Sequence, residues 1–131
     1  MGAPLMDSIV VTNSMLEEYH DDVIAFMECC YDAMDMLVAD PEARAEYAMN
    51  LYKNEGGVTY SDEDMAAEIT NVTYWTWDML EDSPYEFGTT MKQIGQFFMD
   101  QGLIEEGSMP AIEASLRKDI LDEVVAYHKS K

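Results

Sequence analysis

Residues 13–57 constrain the fold of this chain more than any other stretch. Between Val23 and Val38 the apolar positions fall at 23, 26, 27, 30, 34, 37 and 38, the stripe of a helix that buries one face. Ser14 followed by Glu17 has the capping-box pattern that opens such a helix. Asp40 is placed to cap a second helix, and Pro41 suits its first position, where a missing N–H costs nothing. Tyr47, Ala48, Leu51 and Tyr52 continue a buried face, and Gly56-Gly57 stops the helix because glycine accepts the left-handed conformation that ends one. Two antiparallel helices joined by a short Asp-Pro turn are therefore expected.

The flanking segments extend a helical reading. Ile9-Val10-Val11, bounded by Asp7-Ser8 and Asn13-Ser14, is expected to form one short N-terminal strand. A lone strand makes no sheet, so it pairs with another chain or a missing partner, or stays an extended arm; strand or helix exchange in a dimer follows as an expectation. Ser61, followed by Asp62, Glu63 and Asp64, starts the next helix, with the acids near its positive end. Its expected stripe is Met65, Ile69, Val72, Thr76 and Leu80, loosened where Thr73-Tyr74-Trp75-Thr76-Trp77 brings in β-branched and aromatic residues. Thr89 or Thr90 is expected to cap a helix with the stripe Met91, Ile94, Phe97 and Phe98, closed by Gly102 with Leu103-Ile104 packing behind. A last helix from about Pro110 to His128 presents Ile112, Leu116, Ile120, Val124 and Val125. The fold class is thus mainly α, about five helices after one short strand, in a single helical domain over residues 1–131.

Composition narrows the partners. With 27 acidic and 7 basic residues the chain carries a formal charge of −20, which repels phosphate backbones and anionic lipid. Neither nucleic acid nor membrane insertion is expected, and no run of 18 apolar residues occurs. Met1-Gly2-Ala3-Pro4 carries no export signal and reads as the start of a truncated frame, so the chain is expected to be a fragment. Cys29 and Cys30 are adjacent, a spacing unsuited to an internal disulfide, a zinc site or a redox pair.

The order of motifs carries a family likeness. A short strand precedes Asn13-Ser14-Met15-Leu16-Glu17-Glu18-Tyr19-His20-Asp21-Asp22, followed by Tyr31-Asp32-Ala33-Met34-Asp35-Met36-Leu37 and Asp40-Pro41-Glu42-Ala43. Gly57-Val58-Thr59-Tyr60-Ser61-Asp62-Glu63-Asp64 and Gln101-Gly102-Leu103-Ile104 come later. Over residues 7–106 this resembles the C-terminal part of the periplasmic solute-binding proteins of ABC importers for nitrate, sulfonates such as taurine, and thiamine-related pyrimidines. Two departures are His20, where the family usually has Pro, and the full helix expected over residues 110–128. The resemblance implies part of the second lobe of a two-lobed α/β clamp that closes on a small organic or anionic solute and delivers it to a membrane permease. It also implies a periplasmic or membrane-anchored extracellular location for the full-length protein. The loops that hold ligand in that family lie mostly outside this chain.

Candidate chemistry is sparse. Glu17-Glu18-Tyr19-His20 holds Glu-x-x-His, half of a di-iron signature, but Val125 stands three residues before His128 where the second Glu is needed. Glu28, Asp32 and Asp35 share a helical face that fits solvent better than a cation, since no oxygen-donor loop accompanies them. Met27, Met34, Met65 and Met91 fall on apolar stripes as core fillers rather than soft-metal ligands. No nucleophile elbow, Cys-His pair or phosphate loop appears, and Asn71-Val72-Thr73 matches a glycosylation sequon inside an expected helix. No enzyme activity, cofactor or metal is expected. Tyr74, Trp75, Trp77, Tyr85 and Phe87 form an aromatic cluster large enough to stack on a planar solute or to cover a cleft; the structural reading, that these rings cover the missing lobe or a partner chain, is favoured, and any ligand contact is expected there. The alternative is an acidic helical interaction module that docks a partner protein through the same rings.

Overall fold

The structure, a computed structural model, describes residues 8–82 and 86–131. Eight helices occur among them: α1 (Asn13–Glu18), α2 (His20–Ala39), α3 (Pro41–Glu55), α4 (Asp62–Asn71), α5 (Trp77–Asp82), α6 (Thr89–Asp100), α7 (Met109–Ser115) and α8 (Lys118–Lys129). The mainly helical expectation holds, and the extra helices come from breaks inside three expected ones. The strand over Ile9-Val10-Val11 does not form: the segment is irregular, with Val10 87% exposed. Among the described residues no second strand exists to take its hydrogen bonds.

The turn between α2 and α3 forms as expected. The Asp40 carboxylate accepts from the Ala43 N–H at 3.0 Å, with Pro41 opening α3. The Gly56 and Val58 N–H groups both return to the Tyr52 carbonyl, and Gly57 takes φ 64° between them. The first helix starts differently: Thr12 rather than Ser14 caps it, its hydroxyl accepting from the Met15 N–H. Tyr19, at φ −131°, then separates α1 from α2.

The fold divides into two compact units, each described by itself. One holds the described residues up to Ala25 and from Glu86 onward. Leu16, Val23, Ile24, Ile120 and Val124 are its buried apolar side chains, Val124 fully so. α6 meets α7 at Gly95, against which the Ile112 Cδ1 methyl lies too close for any Cβ. That close approach moves the buried line of α6 onto Thr90 and Gly95, and the expected stripe ends Phe97 and Phe98 stay 56% and 40% exposed. Gly88, not Thr89 or Thr90, is the N-cap of α6, at φ 83°. At the other end the Leu103 N–H reaches the Phe98 carbonyl and the Gly102 N–H the Met99 carbonyl, the paired bonds of a Schellman stop. Leu103 is nevertheless 67% exposed rather than packed behind the glycine. The expected last helix breaks at Leu116 (ψ 98°), whose side chain sits on Gly88.

The second unit is Phe26–Asp82. Met65 is its most buried side chain, and Arg44 and Glu28 are buried beside the apolar residues. Tyr47 and Leu51, expected inside, are 67% and 59% exposed; α3 turns Arg44, Ala45, Ala48, Met49 and Tyr52 inward instead. α2 is likewise rotated from its apolar stripe, leaving Phe26 61% and Val38 42% exposed. The expected helix from Ser61 stops at Asn71, and residues 72–76 run extended before α5. Ser61 caps α4 through the Asp64 N–H at 3.1 Å. The sequon Asn71-Val72-Thr73 therefore straddles a helix end rather than lying within a helix.

Candidate functional site

The extended run 72–76 carries two of the aromatic residues expected to contact ligand, and it is held at both ends. On one side the Arg44 guanidinium, on α3, donates through Nη2 to the Val72 carbonyl at 2.8 Å. The same guanidinium lies 4.2 Å from the centre of the Tyr74 ring, within cation–π range. Burying an arginine is costly unless its charge is met, and here a carbonyl dipole and a ring face meet it.

On the other side Trp77, 7% exposed, is held by α2. Its backbone N–H donates to Asp35 Oδ1 at 3.0 Å and its indole Nε1–H to Asp32 Oδ1 at 2.8 Å. The Tyr31 ring stands 5.1 Å from the indole at 50°. Positions 28, 31, 32 and 35 recur at helical spacing, so one face of α2 turns toward α5 and brings a ring and two carboxylates to bear on a single tryptophan. Asp35 caps α5 from a distant part of the chain, since Trp77 is that helix's first residue and its N–H has no partner within the helix. The solvated-face reading holds for Asp32, which is exposed, and is corrected for Glu28, which is 3% exposed; Asp35 is half-buried, and both aspartates accept hydrogen bonds from Trp77.

The expected aromatic cluster is distributed as follows. Tyr74 and Trp75 are half-buried on the extended run, and Trp77 is buried beneath its two carboxylates. Phe87 is half-buried just before α6 in the other unit, and Tyr85 lies outside the described residues. No sequence pattern flagged Arg44; an arginine alone in a predicted amphipathic helix reads as surface, and only the long-range bond to Val72 marks it.

Among the described residues each unit carries a pocket. A pocket of about 400 Å³ is lined by Gln96, Met99, Asp100, Glu106, Gly107 and Met109. A groove of about 460 Å³ runs between α3 and α4. Neither is lined by Tyr74, Trp75, Trp77 or Phe87.

Titratable groups show local perturbations only. The hydrogen bond from His20 Nε2 to Glu123 Oε1, at 2.9 Å, raises the His20 imidazole above its ordinary value. This bond is the contact the structure gives the histidine of Glu-x-x-His. The Arg117 guanidinium, hydrogen-bonded to Asp119, holds that carboxyl below the usual range. Cys29 and Cys30 are both thiols, and burial pushes Cys30 up.

Comparison with known proteins adds one relative. The chain is 22% identical over 125 residues, 95% of its length, to a protein of Brachyspira hyodysenteriae that carries the provisional name of ABC transporter periplasmic binding protein. The chain is similar to a periplasmic binding protein. It spans 35% of that relative's length. No family model matches, and no solved structure matches. Among the described residues no helix is long and apolar enough to cross a membrane.

Proposed function

We propose that this chain forms part of the solute-recognition protein of an ABC importer, binding a small organic or anionic solute of the nitrate, sulfonate or pyrimidine class and presenting it to a membrane permease outside the cytoplasm. The observation that carries the reading is the likeness to the Brachyspira hyodysenteriae protein along 95% of this chain. The order of sequence motifs over residues 7–106 agrees with the same family. In this reading the chain performs no reaction, and its work is selective binding.

Solute contact is assigned to Tyr74 and Trp75, the half-buried rings on the run anchored by Arg44 and Trp77. A guanidinium at a ring face offers both a planar surface and positive charge, which suits a flat or anionic solute. Trp77, buried and doubly hydrogen-bonded, anchors the run and leaves Trp75 as the reporter.

The test is a thermal-shift screen of the chain against nitrate, bicarbonate, alkyl sulfonates and pyrimidines. A ligand at a hundredfold excess over its dissociation constant adds about 2.7 kcal/mol to stability. For a domain of this size that raises the midpoint by roughly 5–10 °C. A shift confined to one class, lost in Tyr74→Ala, supports the assignment. A cooperative melt unmoved by every class refutes autonomous solute binding by this chain.

A further inference from the structure

We propose that the groove between α3 and α4 docks a basic amphipathic helical segment of a partner protein. The proposal is independent of the solute reading, because none of the rings assigned to solute lines this groove. Its floor is apolar: Met49 and Ala45 from α3, and Met65, Ala66 and Ile69 from α4. Met65 is buried beneath the groove, so the thioether within reach is that of half-buried Met49, which repacks around an entering apolar side chain as methionine does in helix-binding grooves. Ala45 and Ala66 leave the space that a larger residue at either position would fill.

Charge selects the occupant. Glu42, Glu46 and Asp62 stand on the rim, all exposed, and no Lys, Arg or His is among the lining residues. In a chain of net charge −20 nothing at the rim offsets them. An anionic ligand, a phosphate backbone or an anionic lipid surface is repelled there, whereas lysine and arginine ammonium and guanidinium groups are drawn in. Shape selects a helix over a small cation. The lining runs from Pro41 to Met49 on α3, and from Asp62 to Thr70 on α4. Each is a stretch of roughly 12 Å, or just over two helical turns. That length receives apolar residues at i, i+3 or i+4, and i+7 of a helix whose flanking cations meet the carboxylates.

The full chain is titrated by fluorescence anisotropy with an end-labelled synthetic helix of leucine and lysine, about four turns long, with its leucines on one face. Two comparison peptides are used: the same composition in scrambled order, and a leucine–glutamate helix of the same pattern. Three variants are titrated alongside: Glu42→Lys/Glu46→Lys, Ala66→Arg, and Glu105→Lys/Glu106→Lys, which makes the same charge change at residues remote in sequence that do not line the groove. Circular dichroism establishes that each is folded. The leucine–lysine helix is expected to bind at about 0.15 M salt, where remote charges are screened. The two groove variants are expected to weaken it about tenfold or more, with the remote pair far less affected. Equal binding of the scrambled peptide, an equal loss in the remote pair, or no binding of the leucine–lysine helix each overturns the proposal.

Discussion

Gly88→Ala is the substitution whose consequence the structure specifies most closely. Gly88 holds φ 83° at the N-cap of α6, a left-handed conformation that costs an L-residue with a Cβ about 1–2 kcal/mol. A Cβ there would also lie 2.5 Å from Leu116 Cδ1, with Cγ and Cδ2 at 3.3 and 3.4 Å. Leu116 is half-buried at the break between α7 and α8 and meets the added Cβ with side-chain atoms alone, so relieving the overlap displaces that side chain, a cost of about 1–3 kcal/mol for overpacking. Alanine restricts the unfolded chain and returns about 0.4–1 kcal/mol. The net expectation is a loss of about 2–4 kcal/mol, read as a lower urea midpoint at unchanged slope by circular dichroism. A double-mutant cycle with Leu116→Ala separates the two causes. Truncating Leu116 removes the overlap but not the backbone strain, so the double variant should be about 1–2 kcal/mol more stable than the sum of the single losses. Strict additivity would refute the steric cause, and a Gly88→Ala variant within about 0.5 kcal/mol of the parent would refute both.

Other outcomes follow from the same geometry. The raised His20 imidazole favours the folded state when protonated, so its contribution is full below its ordinary value near 6.5 and is lost as pH rises through the higher folded-state value. His20→Gln should flatten the unfolding midpoint across that window, and an undiminished slope would assign the pH dependence elsewhere. In a Trp75→Phe background Asp35→Ala should cost about 1 kcal/mol and shift Trp77 emission to the red, because the α5 N–H loses its acceptor. Emission unchanged by both Asp35→Ala and Asp32→Ala would mean that the two carboxylates do not hold the indole. Asp40→Ala should cost about 1 kcal/mol through the lost α3 cap, measured by urea unfolding, while Ser14→Ala, which caps nothing, should cost far less.

The sequence by itself determined the helical character of this chain and several of its helix ends. Asp40, Ser61, Gly56 and Gly102 act through bonds to backbone a few residues away, so their types and spacing sufficed to place them. It also carried the likeness to solute-binding proteins, which rests on the order of motifs along the chain. What the sequence did not contain is which side of each helix faces inward. Apolar periodicity put Phe26, Tyr47, Leu51 and Phe97 inside, yet all are more than half exposed. Buried positions went to polar or small residues instead: Glu28 is 3% exposed, Arg44 is held by Val72 and Tyr74, and Gly95 meets Ile112. The expected helices broke at Tyr19, at residues 72–76 and at Leu116, where no glycine or proline marks a stop. The reason is the range of the interactions. Val72 is held by Arg44, 28 residues away, and Trp77 by Asp35 and Asp32, 42 and 45 residues away, while Leu116 rests on Gly88. A contact between such distant positions leaves no local pattern, so only the tertiary structure decided which segments stayed helical and which aromatic rings remained at the surface.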